Sequence, residues 1–245
     1  MTGADFVAGV DGCRGGWLVV RQRLEDPASA RAFIAPTFRD VLAIDPVPIV
    51  IAVDMPIGLP ERTGAGGRAA DAAVRALLGR RQSSVFAVPA RSAVMQQEYG
   101  AACRAALAAS DPPRKVAKQT YHLFPKIREV DRLMTPGLQA RVVECHPETS
   151  FWALNTRRPL DLPKKVKSRP YAPGIEERRS LLEAAGYSAG LFATPPWRAG
   201  TAGDDDLVDA TVAAWTAARV ACGTARRFPE DPPIDGHGLR MEIWA

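Results

Sequence analysis

The stretch Phe6-Val-Ala-Gly-Val-Asp-Gly-Cys-Arg-Gly-Gly-Trp-Leu-Val-Val20 decides the fold. A short apolar run, Phe6 to Val10, is broken by Asp11-Gly-Cys-Arg-Gly-Gly16, and a second β-prone run begins at Trp17 and reaches Arg23. The glycines therefore lead into a strand. A dinucleotide-binding loop needs them to open a helix, so that reading fails on context. Ala30 to Ile34 reads as a third strand, and Thr37 as the N-cap of a short helix through Ala43 that Pro46-Val-Pro48 ends. Ile49 to Val53 is largely β-branched and shows no alternation, the pattern of a strand covered on both faces. It stops at Asp54, because Met55-Pro-Ile-Gly-Leu-Pro60 can continue neither strand nor helix.

Further along, the character changes. Ala-rich stretches at 68–79 and 97–109, and the stretch 126–134, are predicted helices separated by Gly and Pro breaks. Strand character resumes at Ala140 to Cys145, so about 61–138 reads as a helical insertion into a single domain spanning 1–245. A basic stretch, Arg157 to Arg169, precedes a predicted helix from Gly174 to Ala185. The segment Asp204-Asp-Asp-Leu-Val-Asp-Ala-Thr-Val-Ala-Ala-Trp215 is also predicted to be helical. Its alanines, Ala210, Ala213, Ala214, Ala217 and Ala218, would let it lie close against a sheet. The tail, Ile234 to Trp244, reads as a closing hairpin around Asp235-Gly-His-Gly238.

Composition narrows the class. Of 245 residues, 47% are hydrophobic and 24% charged, as in an ordinary globular chain. The net charge of +5 is compatible with a phosphate-bearing partner without requiring one. Four scattered cysteines with no C-x-x-C spacing argue against a disulfide framework or a zinc ribbon. No signal-peptide pattern and no apolar run of spanning length stands in the sequence, so a cytoplasmic protein without membrane association is expected.

The acids carry the chemistry. Asp11 and Asp54 each end an apolar strand, and in an α/β sheet ligands gather beyond the carboxyl ends of the strands. If the two strands are parallel neighbours, the carboxylates lie side by side and call for a cation. Asp206 and Asp209, spaced i, i+3, share one face of the late helix, with Asp204 and Asp205 meeting its dipole. Asp209 borders the small-residue face, where a carboxylate needs a partner or a metal. Mg²⁺ or Mn²⁺ suits such an oxygen-donor set. Glu144 ends another strand and is a candidate further ligand, and His146 a candidate for proton transfer. Lys164, Lys165 and Lys167, with Arg80 and Arg81, are candidate phosphate contacts. Aromatic residues do not interleave with these bases, which argues against a stacking platform for single strands.

These residues resemble known families. Val10 to Val20 is similar to the first hairpin of ribonuclease H, and Asp206-Leu-Val-Asp-Ala resembles the D-x-x-D-A helix of RuvC-type Holliday-junction resolvases. The stretches GVDGCRGGW, VDMPIGLP, LGRRQSSVF, PKIREVD, ECHPETSF and DDDLVDA together are similar to domain of unknown function 429, a family described as predicted RNase H-fold nucleases. The resemblance implies an RNase H-like α/β fold: a mixed five-stranded sheet flanked by helices, with the helical insertion between its fourth and fifth strands. It also implies that Asp11, Asp54, Asp206 and Asp209 are the metal-binding acids; Glu144 joins them as a candidate catalytic residue from its place at a strand end, the alternative being a structural pair with His146. No Glu stands in the helix at 37–43, where ribonuclease H has one. That departure favours a resolvase-like quartet and argues against specificity for RNA–DNA hybrids.

The expected function is metal-dependent hydrolysis of phosphodiester bonds in DNA or RNA, with two Mg²⁺ or Mn²⁺ ions roughly 4 Å apart. Two alternatives follow from the same fold. One is a non-catalytic nucleic-acid-binding or interaction module. The other is an actin-like or sugar-kinase-like phosphotransferase, disfavoured because such enzymes need two cores and a second phosphate loop.

Overall fold

The computed structural model describes residues 5–167, 169–193 and 195–245. In chain order the main elements are β1 (Phe6–Cys13), β2 (Gly16–Arg23), β3 (Asp26–Ala35), α1 (Phe38–Leu42), β4 (Val50–Val53), α2 (Ala69–Arg75), α3 (Arg91–Val94), α4 (Tyr99–Ala108), α5 (Lys118–Leu133), β5 (Val142–Glu144), α6 (Pro147–Leu154), α7 (Ala172–Ala184), α8 (Gly190–Ala193) and α9 (Asp204–Ala221). The five strands form one mixed sheet in the order β3-β2-β1-β4-β5. β1, β2 and β3 pair antiparallel, whereas β4 runs parallel to both β1 and β5. This is the α/β class with the sheet that the sequence predicted, an arrangement consistent with an RNase H-like core.

Tertiary contacts divide the chain into two compact units. The first holds the sheet: residues up to 54, 141–226 and 244–245. The second comprises 55–140 and 227–243, so the segment expected as an insertion lies within it.

Within the first unit, alternation decides what each strand presents. Val7, Gly9 and Asp11 face one side of β1; Val50 and Ala52 of β4, and Val143 and Cys145 beside β5, face the same side. Val7, Val50, Ala52, Val143 and Cys145 pack there against Ala213 and Ala217 of α9. Leu18 and Val20 extend that layer toward Leu207, Ala210 and Ala214. The alanine stripe thus does what its small side chains predict: α9 lies against the sheet. The other face is covered near β2 by α1, where the Trp17 and Phe38 rings stand 5.0 Å apart. Thr37 caps α1 as expected: Asp40 N donates to Thr37 Oγ1, and Thr37 N donates to Asp40 Oδ2.

Three elements differ from their sequence reading. β1 continues through Asp11 to Cys13, because Gly12 and Cys13 still pair with Trp17 and Gly16. Asp11 therefore lies within the strand. α5 begins at Lys118 rather than 126 and carries Pro125 in its interior. The helix survives the lost N–H because Thr120, Phe124, Ile127 and Val130 bury one continuous face at helical spacing. The tail forms a tight turn with a single bridge, Ile234 to Arg240, in place of a regular hairpin.

That turn is organised by Asp235 in the second unit. Its Oδ1 accepts from the His237 and Leu239 N–H groups, and its Oδ2 accepts from Leu59 N. Arg91 donates to Asp235 and to Asp131, each at 2.6 Å. Burial alone would raise the Asp235 pKa, but the three backbone donors and Arg91 outweigh it and hold it below the ordinary value. A depressed pKa means stability that is present above the unfolded carboxylate pKa, about 3.9, and lost as pH falls through the folded one. Asp235→Asn is expected to lose about 2 kcal/mol at pH 7, the usual worth of hydrogen bonds to a charged group. Denaturant titrations of both proteins at pH 7 and at pH 3 check this. The gap between them should shrink in acid.

Candidate metal centre

Asp11 and Asp54 are brought together by the parallel pairing of β1 and β4. Val10 partners Val53, and Asp54 N donates to Val10 O at 2.8 Å, so Asp54 leaves β4 level with Asp11. α9 crosses the same face and supplies Asp209 one full turn from its start. Carboxylate oxygens of Asp11, Asp54 and Asp209 all lie within 4.8 Å of one another. Asp11 and Asp209 are buried and Asp54 is half-buried.

Such proximity has an electrostatic cost. Burial, with repulsion from Asp54 and Asp206, pushes the Asp11 pKa well above the usual carboxylate range, against the pull of Lys164. Burial also raises Asp54, opposed by the charges of His146 and Lys164 and reinforced by Glu148. One oxygen of Asp209, Oδ2, accepts from the Lys164 ammonium. The other, Oδ1, is buried and has no hydrogen-bond partner. An ionised oxygen left in this state is costly, and with the carboxylates of Asp11 and Asp54 beside it it makes the hard oxygen-donor set that Mg²⁺ or Mn²⁺ prefers. The residues present therefore fit a divalent cation.

The remaining predicted site residues distribute differently. Asp206 stays near the cluster, but its Oδ2 accepts from Gly203 N at 2.8 Å and so caps α9. Burial, together with the neighbouring Asp205, raises its pKa despite that bond. Glu144 lies on the opposite face of the sheet from Asp11. It pairs with Val53, which pairs with Val10, and those residues alternate away from the α9 side where Asp11 points. Glu144 is buried at the end of β5 outside the three-carboxylate group. His146 stands at the N-cap of α6, close enough for its charge to favour the ionised form of Asp54.

The basic residues also part company. Lys164 and Lys165 are committed to acids: Lys164 to Asp209, and Lys165 to Asp205 at 2.6 Å. Both are ion-pair partners of acids on α9. Lys167 is exposed on the hairpin formed by Lys165–Val166 and Arg169–Pro170. Arg80 and Arg81 lie on the 3-10 turn Gly79–Ser84 of the second unit, Arg80 exposed and Arg81 half-buried.

Two further carboxylates carry no ligand signal in the acid spacing of the sequence. Asp205 is 5% exposed and held by Lys165, so it is more than a dipole cap; burial raises its pKa, but the bond to Lys165 and the charge of Lys164 leave it lowered. Glu148 sits in the first turn of α6, where Oε1 accepts from Arg178 at 2.5 and 3.2 Å and Oε2 is buried without a partner. A signal for Glu148 existed. Proline favours the first position of a helix, so Pro147 marks a helix starting at the carboxyl end of β5, with Glu148 next to it.

Among the described residues no helix is long and apolar enough to cross a membrane. A family model described as "Protein of unknown function (DUF429)" matches residues 9–234. No curated protein matches the chain, and no solved structure does.

Proposed function

The chain belongs to the DUF429 family, and from that premise we propose that it is a Mg²⁺- or Mn²⁺-dependent nuclease hydrolysing phosphodiester bonds of DNA or RNA. The observation that carries this reading is the convergence of Asp11, Asp54 and Asp209 around a buried, unpartnered Asp209 Oδ1. These three side chains would hold the cation, with Asp206 at the rim and the unpartnered Oε2 of Glu148 nearby. Bound there, divalent ions supply polarisation of a phosphoryl oxygen, activation of water and, in a two-ion site, stabilisation of the leaving oxygen. Burial by α9 and the sheet keeps bulk water from the acids and strengthens their field. We assign proton transfer to His146, whose charge already couples to Asp54.

The test uses EDTA-stripped protein supplied with Mg²⁺ or Mn²⁺ on single-stranded, hybrid and branched substrates. Cleavage that appears with the ion and disappears in EDTA is the expected result. If the ion raises the melting temperature but no substrate is cut, the nuclease reading fails. A second reading, a non-catalytic nucleic-acid-binding module, draws on the two lysines that already neutralise Asp205 and Asp209. It requires nucleic-acid binding that is indifferent to the ion and a melting temperature that Mn²⁺ leaves unchanged.

A further inference from the structure

We propose that Lys164 is a tethered stand-in for the divalent cation, carried on a strap that holds the acidic cluster closed until metal displaces it. The inference rests on the metal-site reading above and concerns how that site is regulated.

The Lys164 ammonium sits on the acidic cluster: it donates to Asp209 Oδ2, and Asp209 is one of the three acids whose carboxylate oxygens converge within 4.8 Å. The neighbouring cations are paired with other acids: Lys165 with Asp205, and Arg178 with Glu148. Lys164 therefore neutralises the group that a metal ion would otherwise neutralise, and from the same place.

Its position on the chain is that of a strap. Lys164 leads into the two-residue hairpin of Lys165–Val166 with Arg169–Pro170, whose base is closed by Tyr171 N donating to Lys164 O at 2.9 Å. The base is seated firmly at Gly174 of α7, where a Cβ would lie 2.0 Å from Pro163 O. Beyond the base the hairpin is exposed: Lys165, Val166, Arg169 and Pro170 bury nothing of the core. The two lysines bind Asp205 and Asp209, one turn apart on α9, with the lysine side chains 48% and 21% exposed above carboxylate side chains that are 7% and 5% exposed. Above that fixed base the two lysine side chains can therefore swing away by giving up two ion pairs, without unpacking the sheet.

Competition follows from charge and tethering. A divalent ion gains more than an ammonium from the same oxygens, but Lys164 is held at high effective concentration by its own chain. Removing its charge should strengthen metal binding and weaken the metal-free protein. A helper lysine, one that positions the acids for the ion, would have the opposite effect on metal binding.

The experiment titrates Mn²⁺ into full-length, EDTA-stripped wild-type, Lys164→Gln and Lys164→Arg proteins, with calorimetric affinity and melting temperature as readouts. Lys164→Gln is expected to bind Mn²⁺ about tenfold tighter, to melt below wild type in EDTA, and to gain more from the ion. Lys164→Arg, which keeps the charge, should remain at the wild-type affinity. Equal or weaker binding by Lys164→Gln, with wild type binding normally, overturns the strap and leaves the metal site standing. Absence of Mn²⁺ binding in both wild type and Lys164→Gln overturns both.

Discussion

Asp11→Asn is expected to lower metal-dependent cleavage by on the order of 10³-fold while raising the melting temperature of the metal-free protein. The two effects have one cause. Asn keeps the shape of Asp and one acceptor oxygen but removes a full charge from the group of three converging carboxylates. With the ion present, that charge is the attraction that seats it. Without the ion it is a liability. Burial and the charges of Asp54 and Asp206 hold the Asp11 pKa well above its ordinary value, so the fold disfavours the ionised form. The resulting penalty is absent below the unfolded carboxylate pKa, about 3.9, and grows as pH rises toward the folded value. At neutral pH it is therefore in force, and Asn removes it. Single-turnover cleavage in Mn²⁺ and thermal melts in EDTA measure the two arms. Retained cleavage would remove Asp11 from the site. A lower melting temperature in EDTA would mean that Asp11 is a structural hydrogen-bond acceptor whose charge the fold needs.

The acids at the strand ends were legible because their placement depends on few assumptions. A strand covered on both faces sits inside a sheet, β4 reads that way, and Asp11 and Asp54 each follow an apolar run, so parallel pairing of the two strands sets the acids side by side. Asp209 was legible through its spacing from Ala210 and Ala213, which identified the packed face of α9. Glu144 shows where this reasoning stops. Val142, Val143 and Cys145 are all buried, so no polar–apolar alternation marks the phase of β5, and a one-residue change of phase moves every side chain to the other face.

Lys164 marks a different boundary. A run of lysines in a loop reads as solvated or phosphate-binding, because nothing local announces a partner 45 positions away. Arg178 gave still less warning: a fully buried guanidinium is rare, and its partner Glu148 lies 30 positions earlier. Long-range ion pairs depend on where the backbone brings two segments together. Strand and helix patterns speak only to each segment separately.

Gly9→Ala is expected to cost at least ~3 kcal/mol, the upper end of ordinary overpacking, and to leave little folded protein at 37 °C. Gly9 lies two residues before Asp11 on the same face of β1, directly beneath α9. A Cβ built there would stand 2.0 Å from Ala214 N, 2.1 Å from Ala210 O and 2.6 Å from Ala213 C. All three are backbone atoms of an 18-residue helix, so no side-chain rotation relieves the clash. The helix must move away from the sheet, and two consequences follow. The contacts that Val7, Ala52 and Val143 make with Ala213 and Ala217 would loosen, which is the stability cost. Asp209 would be carried away from Asp11 and Asp54, which is a functional cost separable from the first. Denaturant unfolding measures the first, and Mn²⁺ affinity of whatever folded fraction remains measures the second. A substitution at Gly137, where no atom lies within 4 Å of an added Cβ, is the control and should change neither. If Gly9→Ala were as stable as wild type, α9 would not pack at the observed depth. The convergence of Asp209 with the strand acids depends on that depth, and so does the argument for a cation between them.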